Sequence, residues 1–237
     1  MLLDALPERD TAVREAMDAS DCDPVALART YARFGLVNAA VSDRRGLYRR
    51  WIRPRLRSGG LVRLLDVGTG GADLPRRLLR WARRDGELQV VAIDPDPRAI
   101  VFARSLPPVG GLELRQASTR DLAGAGERFD LVVSNHVLHH LTGEELGGIL
   151  ADSETLLVPG GAAVHGDIAR SMLAYVAFAA ATLPLEATLL RGTFIRADGL
   201  ISIRRSHTPA ELARAVPPGW TVERRPPERL ELIHRAP

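Results

Sequence analysis

The segment that decides the fold spans residues 61–78 and reads LVRLLDVGTGGADLPRRL. An apolar run that leads into a glycine-rich bend predicts a strand, a turn that a ligand approaches closely, and a helix whose first N–H groups attract a polar group. Asp66 stands two residues before Gly68, and its carboxylate favours a cofactor with an amino group over a pyrophosphate. The turn therefore indicates a site for a cofactor of the nucleotide type, and the alternative is a tight turn without a ligand.

This turn resembles the first motif of class I S-adenosylmethionine-dependent methyltransferases, an acidic residue followed after one position by G-x-G-x-G. Ala72 replaces the third glycine of that pattern. The dinucleotide fingerprint G-x-G-x-x-G fits less well, because its third glycine would fall on Asp73. The resemblance implies S-adenosylmethionine as the cofactor, with contacts from Asp66, Gly68, Thr69 and Gly70.

The ends of the next two predicted strands also resemble family positions that hold the cofactor. Asp94 follows the apolar run 90–93, where its carboxylate would accept hydrogen bonds from both ribose hydroxyls, with Pro95 beside it. An exposed acid in a turn is the alternative reading of Asp94. Ala117 and Ser118 occupy the place where many relatives bind adenine, and Ser118 replaces an acid there. The resemblance implies that Ser118 makes a weaker contact than a carboxylate would.

A second motif, F-D-L-V-V-S-N-H-V-L-H-H-L at residues 129–141, is close to the family pattern at the end of the fourth strand. It implies that Asn135 lies beside the methionine part of the cofactor. His136 and His139 are candidate catalytic residues, because imidazole accepts and releases protons near neutral pH. The alternative for the paired histidines is packing and hydrogen bonding.

Other candidate site residues come from the fifth strand and the N-terminal region. Alternation along the strand predicts that His165 ends near the substrate and acts as the general base, with backbone hydrogen bonding as the alternative. Arg170 is a candidate to hold an acidic substrate oxygen. Tyr31 and Phe34 share a helix face and are expected to line the substrate pocket, although they also fit core packing.

The predicted fold is α/β, a doubly wound, Rossmann-like and mostly parallel sheet with a C-terminal antiparallel hairpin. Residues 1–60 are predicted to form an N-terminal helical cap, and residues 61–237 the cofactor-binding domain. The apolar segment at about residues 170–200 is predicted as a lid or buried helix. The predicted elements are strands at 61–67, 88–93, 112–116, 129–134 and 162–167, hairpin strands at 220–224 and 229–234, and helices at 10–18, 24–34, 38–56, 72–84, 97–104 and 142–157.

Composition narrows the class of protein. All 32 basic residues are Arg, they are scattered, and 29 acidic residues nearly balance them, so no nucleic-acid partner is predicted. The lone Cys22 excludes an internal disulfide and a cysteine zinc cluster, and no metal is predicted. The longest apolar run, residues 171–185, is too short for a transmembrane segment. Without a recognisable signal peptide, a cytoplasmic location is expected.

These observations predict methyl transfer from S-adenosylmethionine to a small hydrophobic acceptor, by O-methylation of a phenolic, quinone-like or polyketide hydroxyl. C-methylation of a similar acceptor is the alternative that the sequence leaves open. A nicotinamide-dependent oxidoreductase would share Asp94 but not Asp66, and a non-catalytic binding protein would explain Ala72 and Ser118 as decay of the motif. A homodimer is compatible with the sequence.

Overall fold

The computed structural model describes residue 6 and residues 8–237. Their strands form one seven-stranded sheet with the order β3-β2-β1-β4-β5-β7-β6. The first five strands pair in parallel, whereas β7 runs antiparallel to both β5 and β6. This confirms the predicted Rossmann-like sheet with a C-terminal hairpin. The strands are β1 (Leu61–Val67), β2 (Glu87–Asp94), β3 (Leu112–Gln116), β4 (Phe129–Asn135), β5 (Leu157–Ile168), β6 (Trp220–Arg225) and β7 (Arg229–Arg235).

Helices cover both faces of the sheet and its C-terminal edge. Among the residues described, no helix is both long and apolar enough to cross a lipid bilayer. Short 3-10 turns occur at Ala16–Asp18, Leu138–His140 and Leu183–Leu185, and a π-helical turn occurs at Tyr48–Ile52. The α-helices are α1 (Pro24–Val41), α2 (Arg44–Leu47), α3 (Arg53–Arg57), α4 (Asp73–Ala82), α5 (Pro97–Ser105), α6 (Thr119–Gly124), α7 (Gly143–Thr155), α8 (Met172–Thr182), α9 (Ile195–Arg205) and α10 (Pro209–Ala215).

The hydrophobic core lies on both faces of the sheet. On one face Ile52 packs with Leu64 of β1 and Leu78 of α4, and all three side chains are fully buried. Full burial stabilises each such side chain by about 1.5–3 kcal/mol. Residues 47–56 thus belong to the same core as the sheet, and the core shows no break at the predicted domain boundary after residue 60.

Two predicted N-terminal helices differ from the structure. The helix predicted at 10–18 is reduced to the 3-10 turn Ala16–Asp18, because the Asp198 carboxylate accepts hydrogen bonds from the N–H groups of Ala16 and Met17. The helix predicted at 38–56 is interrupted after Val41, where Asp43 accepts a hydrogen bond from the N–H of Gly46 at 3.0 Å and begins α2. Tertiary contacts and local capping therefore override the helical pattern.

Two further predictions concern the region after β4. The helix predicted at 142–157 ends earlier, because α7 stops at Thr155 and β5 already begins at Leu157. Gly160 has a φ of +75° and lies at a bend within β5, where the pairing with β4 shifts register. The apolar helix α8 is not a buried helix, since Thr182 is its one buried residue.

Candidate functional site

Asp66 lies buried near the end of β1, at the edge of the sheet where the parallel strands finish. Its Oδ2 atom has no hydrogen-bond partner among the described residues, and burial raises the pKa of this carboxyl to about 7. The hydroxyl of Thr69 in the following turn is likewise unpaired within the described part of the chain. Buried polar atoms without partners are costly, so both atoms fit a polar ligand with N–H donors.

The turn between β1 and α4 brings its backbone close to neighbouring elements. Gly68 has a φ of +68°, and a Cβ atom there would lie 2.5 Å from Cγ2 of Val137. Gly70 has a φ of +52°. Ala72, which replaces the third motif glycine, keeps the left-handed conformation at φ 59° and is fully buried. The turn therefore keeps the geometry of a glycine-rich loop although one glycine is absent.

Asp94 ends β2 beside this turn. Its Oδ2 accepts a hydrogen bond from the Gly70 N–H at 2.8 Å, and its Oδ1 accepts one from the Asp96 N–H at 3.0 Å. Burial raises the pKa of Asp94, although these two backbone donors act against the shift. Each carboxylate oxygen retains a lone pair that is able to accept a second hydrogen bond, as from a vicinal diol.

Ala117 and Ser118 follow β3 on the other side of Asp94. The Ala117 N–H donates to the Asp94 carbonyl oxygen at 3.3 Å, which fixes the loop to β2. The Ser118 hydroxyl donates to Oδ2 of Asp121 at 2.7 Å, within the capping box that begins α6. Because its hydroxyl already takes part in the cap, Ser118 has less hydrogen-bonding capacity left for a ligand than a carboxylate at this position would have.

One cavity of ≈ 520 Å³ lies over these strand ends, covered by α1 and by the segment from α8 to α9. This size is typical of small-molecule sites, at about 300–1,000 Å³. Phe178 and Ile195 contribute apolar wall from the predicted lid segment. The cavity brings together most of the predicted site residues, namely Tyr31, Phe34, Asp66, Gly68, Thr69, Gly70, Asp94, Pro95, Ala117, Ser118, Asn135, His136 and His139.

Asn135 and His136 follow β4 and meet Ser42 at the cavity wall. The Ser42 hydroxyl lies 2.8 Å from Nε2 of His136 and accepts a hydrogen bond from Nδ2 of Asn135 at 2.9 Å. His136 has φ +60°, an uncommon conformation for a residue with a side chain, and such strain concentrates at functional sites. Its Nδ1 is buried without a hydrogen-bond partner in the described structure.

A cluster of two histidines and three carboxylates lies beside His136, whose Nδ1 is 3.7 Å from Oδ1 of Asp167. Nδ1 of His139 donates to Oδ1 of Asp167 at 2.8 Å, and its Nε2 lies 3.3 Å from Oε1 of Glu15. Nδ1 of His140 donates to Oδ2 of Asp18 at 3.1 Å, while its Nε2 lies 3.8 Å from the same Glu15 oxygen. Each histidine is thus oriented by a carboxylate at Nδ1 and directs its Nε2 toward Glu15.

The electrostatics of this cluster are those of a buried ion network. Burial opposes the charge of His139, but the carboxylates of Asp167 and Glu15 raise the pKa of its imidazole well above the usual range. Burial likewise opposes the charge of Asp167, yet His139 and His136 beside it hold its pKa far below the usual range. The cluster can therefore hold charge at the cavity wall.

The structure places His165 away from the cavity. Its side chain is fully buried, with Nδ1 2.8 Å from the Ser134 hydroxyl and Nε2 3.3 Å from the Ser153 hydroxyl. The ring also stacks on Trp220, with centroids 5.5 Å apart. The prediction that His165 ends near the substrate fails because β5 continues to Ile168, which leaves His165 inside the helix-covered face of the sheet.

Arg170 also lies outside the cavity lining. Its guanidinium donates to the Ser206 carbonyl oxygen at 3.2 Å and forms an ion pair with Glu211, so it joins β5 to the C-terminal helices rather than meeting a substrate oxygen. Tyr31 and Phe34 do line the cavity, with their rings edge to face at a centroid distance of 5.8 Å.

Sequence reasoning missed Glu15, Asp18 and the role of His140 in the cavity wall. His140 carries a local signal in the His139-His140 pair of the second motif. Glu15 and Asp18 carry none, because the chain brings them to the histidines from more than a hundred residues away.

Comparison with known proteins identifies the central part of the chain. Residues 65–165 match the family model described as a methyltransferase domain. The ubiquinone biosynthesis O-methyltransferase of Azorhizobium caulinodans is 31% identical over 153 residues, 64% of this chain and 55% of that protein. The protein of the same name from Methylocella silvestris is 33% identical over 176 residues, 72% of this chain and 61% of that protein. The chain thus spans little more than half the length of these relatives.

Solved structures show the same fold at low sequence identity. The plantazolicin methyltransferase BpumL, solved in complex with SAH, superposes with a TM-score of 0.59 at 10% identity, over 90% of this chain and 95% of that one. Human N-acetylserotonin methyltransferase, solved in complex with SAM, also has a TM-score of 0.59, at 11% identity, over 90% of this chain and 56% of that one. The chain thus shares the fold of these methyltransferases, and its residues 65–165 match the methyltransferase domain family.

Proposed function

We propose that this protein transfers the methyl group of S-adenosylmethionine to a hydroxyl oxygen of a small hydrophobic molecule of the phenolic, quinone-like or polyketide class. The curated relatives named as ubiquinone biosynthesis O-methyltransferases support the quinone-like acceptor. One observation carries the proposal: a single cavity joins the buried carboxylates at the strand ends to the cluster of Glu15, His139 and His140.

The residues at the strand ends fit the methyl donor. The unpaired Oδ2 of Asp66 matches the need of an ammonium group for an anionic acceptor, and Asp94 has lone pairs free for the two ribose hydroxyls. Gly68, Thr69, Gly70 and Pro95 line the space between them, with Ala117 and Ser118 on the adenine side and Asn135 at the methionine side. Bound S-adenosylmethionine supplies a methyl group already activated by its sulfonium charge.

The remaining cavity wall suits an apolar acceptor with one ionisable hydroxyl. Tyr31, Phe34 and Phe178 provide aromatic surface, while Glu15, His139 and His140 provide the polar part. Transfer forms a carbon–oxygen bond, breaks the carbon–sulfur bond of the methyl donor and passes the hydroxyl proton to the cluster of Glu15, His139 and His140. We assign the acceptor oxygen to this cluster, where charge is held, and orientation of the acceptor within the cavity lowers the barrier further.

The N-terminal helices and the segment 170–200 are proposed as the cover of this cavity. Support comes from α1, α8 and α9, each of which contributes lining residues. We also propose that the protein is cytoplasmic and forms a homodimer. Cell fractionation and the molar mass in solution by light scattering test these two points.

The proposed function is tested with S-adenosylmethionine carrying an isotopically labelled methyl group. The purified protein is incubated with a set of phenols, catechols and hydroquinones of increasing apolar chain length, and the labelled product is located by NMR. The expected result is a methyl group on oxygen, with turnover that increases with chain length. A methyl group found on carbon alone would establish C-methylation instead, and binding of the cofactor without turnover on any acceptor would contradict the proposal.

A further inference from the structure

The free ligand atoms of three side chains converge at the cavity wall. Nε2 of His139 and Nε2 of His140 lie 3.3 Å and 3.8 Å from Oε1 of Glu15, and all three atoms lie within 4.8 Å of one another. A tetrahedral zinc site with bonds of about 2.0–2.1 Å separates its ligand atoms by about 3.3 Å. We propose that Glu15, His139 and His140 bind one divalent transition-metal ion, with Zn²⁺ as the ion that this donor set fits.

The surroundings of the three side chains are those of a built metal site. Asp167 accepts a hydrogen bond from Nδ1 of His139, and Asp18 accepts one from Nδ1 of His140, at 2.8 Å and 3.1 Å. Such carboxylate–histidine pairs fix the ring so that Nε2 is the free ligand atom, and they make it a stronger donor. The Ser202 hydroxyl donates to Oε1 of Glu15 at 2.7 Å and positions that carboxylate in the same way.

A proton shared between His139 and Glu15 is the competing occupant. The distance of 3.3 Å is too long for a strong charge-assisted hydrogen bond, and the 3.8 Å between His140 and Glu15 is too long for any hydrogen bond. If a proton between His139 and Glu15 is the only occupant, Nε2 of His140 makes no hydrogen bond to Glu15, although Asp18 orients the His140 ring. A single cation between the three atoms satisfies both histidines at once, and this favours the metal.

Three protein ligands leave one position of a tetrahedral ion open, as in catalytic zinc sites. All three residues line the cavity, so the open position lies on the side of the acceptor. The role of this position in methyl transfer rests on the proposed function. The open position selects acceptors whose hydroxyl ionises readily, such as phenols and catechols, over aliphatic alcohols, because the ion stabilises an oxygen anion.

Metal binding is tested directly, without substrate or methyl donor. The full chain is freed of metal with a chelator, and Zn²⁺ is titrated in competition with a chromophoric chelator. One tight equivalent of Zn²⁺ is expected. Glu15→Gln and His140→Ala should each weaken binding by ~100-fold or more, and Asp18→Asn by about 10-fold, since loss of an outer partner costs 10–100-fold. Circular dichroism confirms that each variant is folded.

His234→Ala is the matched control, because this histidine lies outside the cavity and packs on Trp220. Its Zn²⁺ affinity should equal that of the unchanged protein. Absence of a saturable site, or equal affinity in the Glu15→Gln, His140→Ala and His234→Ala proteins, would overturn the metal site. Tight Zn²⁺ binding without methyl transfer would overturn the proposed function alone, and methyl transfer by a protein with no Zn²⁺ site would overturn the metal proposal alone.

Discussion

The backbone N–H of Gly70 lies 2.8 Å from Oδ2 of Asp94, so the glycine-rich turn after β1 and the tip of β2 are held together by one charge-assisted hydrogen bond. The same carboxylate also accepts the Asp96 N–H. Asp94 therefore shapes the turn and, in the proposed function, receives the ribose hydroxyls. An asparagine keeps the shape of the side chain but loses its charge and one of the two backbone hydrogen bonds, so the fold of the variant is checked by circular dichroism beside its affinity for the cofactor.

Asp94→Asn is expected to weaken binding of S-adenosylhomocysteine by about 10- to 100-fold, since hydrogen bonds to a charged group contribute about 1.5–3 kcal/mol. Isothermal titration calorimetry measures the effect. The exposed Asp21→Asn substitution removes the same charge at a position outside the cavity lining and serves as control. Equal affinity in the two variants would show that Asp94 holds the turn and does not bind the cofactor.

The fold was predictable because its signals are local. Each parallel strand is a short apolar run bounded by turn residues, and the two motifs fix the ends of β1 and β4. The cavity wall at the strand ends followed from the same motifs. The wall at Glu15 did not, since Glu15 reaches His139 through the packing of the N-terminal segment on α9, which no sequence periodicity reports.

The position of His165 shows a different limit of sequence reasoning. Alternation along β5 places His165 on one face of the sheet, where its ring stacks on Trp220. It does not indicate how far the strand continues, nor that Trp220 of β6 and Ser153 of α7 close over this face. The depth of a strand residue depends on its neighbours in space, which the strand's own sequence does not contain.

Ala72→Gly is expected to stabilise the protein. Ala72 has φ 59°, and an L-residue with a side chain pays about 1–2 kcal/mol for the left-handed conformation, which glycine adopts freely. The greater freedom of glycine in the unfolded chain and the loss of the buried Ala72 methyl group offset most of this gain, so the free energy of unfolding should rise by at most about 0.5 kcal/mol. Urea denaturation measures it.

Ala82→Gly is the matched control, because Ala82 ends α4 and is similarly buried. Glycine there removes a buried methyl group and a helix-favouring residue, so this variant should lose about 1 kcal/mol or more. If both substitutions destabilise the protein equally, the left-handed strain at Ala72 is absent.

Arg44→Met is expected to destabilise the protein by about 3 kcal/mol. Arg44 donates from Nη1 to Oδ2 of Asp73 at 2.6 Å and from Nη2 to the Gly35 carbonyl oxygen at 3.0 Å. Asp73 begins α4 directly after the glycine-rich turn, and removal of its buried partner leaves an uncompensated charge. Thermal and urea unfolding report the loss.

The double variant Arg44→Met, Asp73→Asn tests that the loss is due to the unpaired charge. With both charges removed, about half or more of the lost stability should return, because a buried pair as a whole contributes little. A double variant that is less stable than Arg44→Met alone would show that Asp73 is held mainly by its other contacts, such as Nδ2 of Asn38 at 3.4 Å.

His165→Gln is expected to change the pH dependence of stability and to leave methyl transfer nearly unchanged. Burial lowers the pKa of His165 to about 4 from an unfolded value of 6.5, so the unfolded chain binds the proton first as the pH falls. The neutral histidine therefore contributes stability fully above pH 6.5, and this contribution is lost between pH 6.5 and 4, by about 3 kcal/mol at most. The glutamine variant, which does not titrate, should show a flatter curve over this interval when the free energy of unfolding is measured by urea denaturation at each pH.

The same variant separates a structural role of His165 from a catalytic one. Glutamine can replace the hydrogen bond to the Ser134 hydroxyl, and the side chain lies outside the cavity, so kcat at pH 8 should stay within about threefold of the unchanged protein. His140→Ala, which alters the cavity wall itself, should lower kcat by at least about 100-fold under the same conditions. A large loss of kcat in folded His165→Gln, together with an unchanged pH dependence of stability, would contradict this structural role. His165 would then act directly in methyl transfer.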